Sequence, residues 1–239
     1  MRDKIGFDEL ADDIFSLNIR GLKSIAALWR APRDYFAAAE DANWCDRFTP
    51  SIRLWLSLIA VSSLLQFFWI GTDTPLVAAY TEGFRESGVV LTGDLTFEQL
   101  GETAALWIFG VFPLMQLLIF LFVLPLFPLW GRPTTYSLRA RYGFSMMIPS
   151  ASVMVFLLPS MALMPPATVS LFGVAIGILS FLIDASTVYR SRLAQSLTGR
   201  ILRSAALAGL VLLLNVTAHI ATQIAGIILV SARYGLTVG

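Results

Sequence analysis

Charge is what this sequence has least of. Only 14% of its 239 residues are acidic or basic, against 56% hydrophobic, whereas a soluble domain carries about 25% charged residues to wet its surface. That deficit excludes an ordinary water-exposed globule. The one cysteine, Cys45, excludes an intramolecular disulfide and any cysteine-based zinc site. One histidine, His219, and one carboxylate after Glu102, Asp184, leave few parts for acid–base or metal chemistry. The zincin, nucleophile-elbow and Walker signatures are absent as well. No enzyme, no metal, no cofactor and no nucleic-acid partner is therefore expected. A cleavable signal is not expected either, because Asp8, Glu9, Asp12 and Asp13 interrupt the place where its apolar core would lie.

What is present is hydrophobic sequence in long runs, with a mean hydropathy of +0.73. A helix needs about 20 apolar residues to cross roughly 30 Å of hydrocarbon. The pattern predicts an all-α, polytopic membrane protein with five transmembrane helices, near residues 51–70, 104–130, 142–158, 168–189 and 205–230. A polar outer loop spans 71–103, and residues 1–50 form an N-terminal cytoplasmic amphipathic helical segment. In that segment Ile14, Leu17, Leu22, Ile25, Leu28 and Trp29 recur at helical steps, apart from Asp12, Asp13, Arg20 and Lys23. The stripe either lies in the lipid headgroups or packs on the ends of the bundle.

Local signals sharpen several boundaries. Thr74-Pro75 reads as a helix start inside the outer loop, and Thr96 with Gln99 has capping-box spacing before the second span. That second run is too long for one straight crossing. Pro113 should kink it, and Pro125 and Pro128 should break its last part. Of the 17 basic residues, only Arg85 and Arg233 fall on the outer side of this arrangement. The N-terminus is therefore expected in the cytoplasm and the C-terminus outside, which in a bacterial inner membrane is the periplasm.

The intramembrane polar residues are the candidate site. Asn215, His219, Thr222 and Gln223 share a face of the fifth span. They read either as a ligand pocket, proton relay or haem ligand, or as interhelical hydrogen bonding, and the second reading is preferred. Asp184 near the end of the fourth span is expected to pair with Arg190, Arg192 or another loop arginine. Small residues at four-residue spacing (Gly173 and Gly177, Ala205 and Gly209, Thr222 and Gly226) are expected to let spans four and five pack closely or one of them pack against a partner subunit, and the first reading is preferred.

Arg20-Gly21-Leu22 leads into Leu28, Pro32 and Tyr35, and Arg47-Phe48-Thr49-Pro50 runs into Arg53-Leu54-Trp55-Leu56. Over roughly residues 18–60 this resembles an uncharacterised bacterial family of integral membrane proteins, and more loosely the Yip-type membrane proteins. The first family usually opens with a cysteine-rich metal-binding stretch, which this chain lacks. The resemblance implies a membrane fold and no catalytic residue. The expected function is a non-enzymatic scaffold or accessory subunit of a larger membrane assembly, with membrane lipids and other membrane subunits as partners. The rival expectation is a transporter or binder of a lipid or other small hydrophobic molecule.

Overall fold

The computed structural model describes residues 19–41, 43–68, 74–91, 95–130, 134–157, 160 and 164–238. The part of the N-terminal stripe at Ile14 and Leu17 lies outside them. Among the described residues the secondary structure is helical apart from one short strand pair. Helices α1 (Ile19–Arg30), α2 (Pro32–Ala38) and α3 (Trp44–Arg47) lead into α4 (Ser51–Phe68). Then follow α5 (Pro75–Glu86), α6 (Phe97–Phe122), α7 (Tyr136–Leu157), α8 (Pro166–Ser191) and α9 (Leu197–Tyr234). Three helical stretches are long and apolar enough to cross a membrane: Phe97–Leu126, Leu171–Ser191 and Leu197–Tyr234.

The local chemistry explains the ends. Thr74 caps α5 by accepting the Val77 N–H, with Pro75 in the first turn. Thr96 and Gln99 form a reciprocal capping box on α6. The α6 helix stops at Phe122, and two 3-10 turns, Leu124–Leu126 and Pro128–Trp130, take the chain around its prolines. Pro113 and Pro149 lie inside α6 and α7. The longest element, α9, has 38 residues. At 1.5 Å per residue it reaches about 57 Å, well beyond a bilayer core, so it starts earlier and ends later than the predicted 205–230.

Helices α6 and α9 pack along one another, α9 also packs on α8, and α4 lies along α7. The most enclosed helix is α7: every residue from Tyr142 to Ala151 is buried. The fourth and fifth spans were expected to pack closely, and α8 and α9 do, but the helix enclosed by its neighbours is α7. A helix hidden on all sides by protein does not need a lipid-compatible surface, which is why α7 carries Ser145 and Ser150 among its buried residues.

The N-terminal helices are tied to the ends of α4, α7 and α8. Ser24 donates to Arg20 O and accepts the Thr49 N–H at 2.9 Å, and the Tyr35 hydroxyl donates to Thr49 O at 3.0 Å. Tyr35 also meets Phe48 with ring centroids 4.8 Å apart. Ser51 donates to Arg141 O, and Arg141 donates to Ala39 O. On α1, Gly21, Ser24 and Leu28 are buried, while Ile19, Leu22 and Trp29 are exposed. Leu28 therefore packs on the bundle and Leu22 does not, so the predicted stripe is split between two environments.

At the opposite end, Gly235 (φ 60°) takes the left-handed conformation that closes α9. The chain then turns back so that Thr237–Val238 pairs antiparallel with Val89–Val90. The tail thus lies beside the segment between α5 and α6. A smaller apolar cluster there joins Phe84, Leu100, Ala104, Ile108 and Val230.

Candidate functional site

The polar residues of α9 are held by neighbouring helices. Asn215 Oδ1 accepts a hydrogen bond from Gln116 Nε2 of α6 at 2.6 Å. Gln223 meets the Tyr80 hydroxyl of α5, with Nε2 at 2.7 Å and Oε1 at 3.0 Å. Its Nε2 also lies 3.2 Å from His219 Nε2. The His219 ring is exposed and stands edge-on to Phe112, with centroids 6.2 Å apart. Thr222 is buried, and its hydroxyl donates back to Ala218 O at 2.7 Å. Asn215 and Gln223 are thus brought into one interhelical seam, whereas Thr222 is spent on its own helix.

Tyr80 and Gln116 were not expected in this seam. Tyr80 lies in the outer loop and Gln116 stands alone in an apolar run, so neither has a spacing that marks it. Only the antiparallel course of α6 and α9 brings Gln116 opposite Asn215. Burial raises the Tyr80 phenol above its ordinary 10.0, and the hydrogen bond with Gln223 pulls the other way. The hydroxyl therefore stays protonated at neutral pH and can donate.

Asp184 does not join this seam. It is buried, at 2% exposure, and its side-chain contact is with Ser150 of α7. Its Oδ1 has no hydrogen-bond partner. The expected ion pair is corrected: among the described residues the sole salt bridge joins Arg85 to Glu82. Arg190 instead donates to Arg30 O at 2.7 Å. Asp184 lies nearly two turns from Arg190 along α8, and it faces the enclosed α7 while the arginine faces the N-terminal helices.

The small residues separate into three groups. Gly177 and Gly209 sit between α8 and α9, where Cβ atoms would meet Leu212 Cδ1 at 3.8 Å and Phe181 Cε2 at 4.0 Å. Gly226 faces α6 instead, and a Cβ there would come 2.5 Å from Ile108 Cγ1. Thr222 is on the same turn-spaced row as Gly226, with Ala218 and Val230, all buried. Gly173 would meet nothing within 4 Å, and Ala205 is exposed. The expectation that all six join spans four and five is therefore corrected, because α9 is shared between two neighbours.

Among the described residues no three His, Cys, Asp or Glu side chains gather as a metal site would require. No family model, curated protein or solved structure matches the chain.

Proposed function

We propose that this chain is a non-enzymatic, five-span protein of the bacterial inner membrane that serves as a scaffold or accessory subunit of a larger membrane assembly. The observation that carries the reading is the outer face of α8. Leu171, Val174, Ile178 and Leu182 are all exposed there, and Gly173, on the row of Gly177 on the far side of the helix, has open space where a side chain would stand. In lipid, helices associate by close backbone approach rather than by a hydrophobic driving force, and an uncovered glycine such as Gly173 permits it. The polar groups of α9 are meanwhile engaged by α5 and α6. That engagement takes support from the rival reading of a lipid or small-molecule pocket on the Asn215–His219 face.

The five-span topology is supported by sidedness. The tail pairs with Val89–Val90 at one end, whereas Arg141 and Arg190 contact the N-terminal helices at the other. A chain whose N-terminal helices and C-terminal strand lie at opposite ends crosses an odd number of times between them. Beyond the three long apolar helices, α4 and α7 have 18 and 22 residues, or about 27 and 33 Å, the first at the short end of what crosses roughly 30 Å of hydrocarbon. The arginine-rich end is then cytoplasmic. Exposed Ile19, Leu22 and Trp29 with Arg20 and Lys23 on α1 suit an amphipathic helix at the headgroups.

The test is gentle extraction from native membranes, followed by sizing and identification of co-purifying proteins. Partner subunits should be recovered with the natural chain and reduced by Gly173→Leu, with helicity unchanged. A protein that emerges alone and monomeric defeats the reading.

A further inference from the structure

A cavity of about 400 Å³ opens at the arginine-rich end, between α2, the second 3-10 turn and the loop joining α8 to α9. Its size suits a small ligand or a headgroup. Arg33, Arg192 and Arg200 line it, against a single carboxylate, Glu40, which already accepts the Tyr142 hydroxyl at 2.6 Å. Three guanidinium groups about one engaged carboxylate leave an excess of positive charge.

Two lining residues carry a buried donor without an acceptor. Trp130 lines the cavity at 2% exposure, and its indole N–H has no hydrogen-bond partner. Arg200 Nε is likewise buried and unpartnered, although Nη2 of the same side chain donates to Gln195 O. Thr134 Oγ1 accepts from Arg139 Nε at 2.9 Å, so its own proton remains available. Buried donors are ordinarily satisfied, and these two lie in residues that wall the cavity, one shell behind its surface. Arg192 (φ 59°) takes the left-handed conformation that closes α8 and turns the chain into the loop. Arg203 donates to Leu193 O and fixes that loop just before the N-terminus of α9, where the helix dipole favours an anion.

We propose that this cavity binds a phosphate group, carried either by an anionic lipid headgroup or by a soluble phosphate compound. Several tetrahedrally arranged oxygens accept from arginine forks and a hydroxyl together, which a single carboxylate does less well. The site does not depend on the scaffold reading: it concerns a different end of the molecule, and a protein that purifies alone would still carry it.

The test uses the full chain in phosphatidylcholine nanodiscs, with Arg33→Gln/Arg192→Gln as the site variant and Lys23→Gln as the control. Both site arginines are surface side chains, and matched helicity with monodispersity establishes that the variant folds. One arm titrates inorganic phosphate against chloride at equal ionic strength and follows thermal unfolding. The other replaces part of the lipid by phosphatidylglycerol and measures retained lipid by native mass spectrometry. A phosphate-specific stabilisation lost in the site variant identifies a soluble ligand. Selective retention of phosphatidylglycerol, weakened roughly tenfold or more in the site variant, identifies a headgroup. If neither probe separates the natural chain from the site variant, or if Lys23→Gln loses as much, the proposal is overturned.

Discussion

Ile108 of α6 occupies the notch left by the missing side chain of Gly226 on α9, so close that a Cβ would lie 2.5 Å from its Cγ1 and 3.2 Å from its Cδ1. The main antiparallel pair of the fold depends on this one glycine at the level where Ala218, Thr222 and Val230 share its row.

Gly226→Ala is therefore expected to destabilise the protein by about 1–3 kcal/mol, the usual cost of overpacking a close-packed contact. Gly173→Ala, with open space around it, is expected to stay within about 0.5 kcal/mol of the natural chain. Unfolding titrations in mixed micelles compare the two. Equal effects would contradict the assignment of Gly226 to the α6 contact.

The Gln116–Asn215 hydrogen bond spans α6 and α9 at 2.6 Å. A double-mutant cycle with Gln116→Leu and Asn215→Leu is expected to give a coupling of about 0.6–2 kcal/mol, the range for polar contacts between helices in a bilayer. A coupling indistinguishable from zero would mean that the two amides do not meet.

Asp184 and Arg190 are expected to be uncoupled. Since the carboxyl contacts Ser150 and the guanidinium contacts Arg30 O, Asp184→Asn and Arg190→Gln should add within about 0.3–0.5 kcal/mol. A larger interaction energy in the same unfolding assay would restore the ion pair that the sequence suggested.

Tyr80 predicts a pH dependence with a definite sign. Its phenol is raised in the folded state, chiefly by burial, so the stability linked to its protonation is complete below its unfolded value of about 10. Above that value the unfolded chain ionises first, and the stability is lost as pH rises through the folded-state value. The stability advantage of the natural chain over Tyr80→Phe should be constant at neutral pH and shrink above about pH 10. A difference that changes between about pH 6 and 8 would point to another group.

Much of the fold was legible because its signals are local. The Thr96–Gln99 box, the Thr74-Pro75 start and the breaks at Pro125 and Pro128 act within a few residues of chain. The site was less legible. Spacing placed Asn215, His219 and Gln223 along one helix, but it carried no information about Gln116 or Tyr80, which come from other helices. The Arg33, Arg192 and Arg200 cavity was visible only as a surplus of arginine on one side.

By itself, the sequence determined the long apolar runs, the helix ends set by capping or proline at Thr74, Thr96 and Phe122, and the segregation of arginine along the chain, because chain hydropathy, capping and proline geometry need no distant partner. Tertiary structure alone decided how neighbours share each helix. Gly226 went to α6 and Gly209 to α8, Asp184 turned toward Ser150, and α7 became the enclosed centre. The physical reason is that all these helices are apolar around most of their circumference. Lipid then satisfies any face as well as protein does, and only steric fit and the few polar groups select which face meets which.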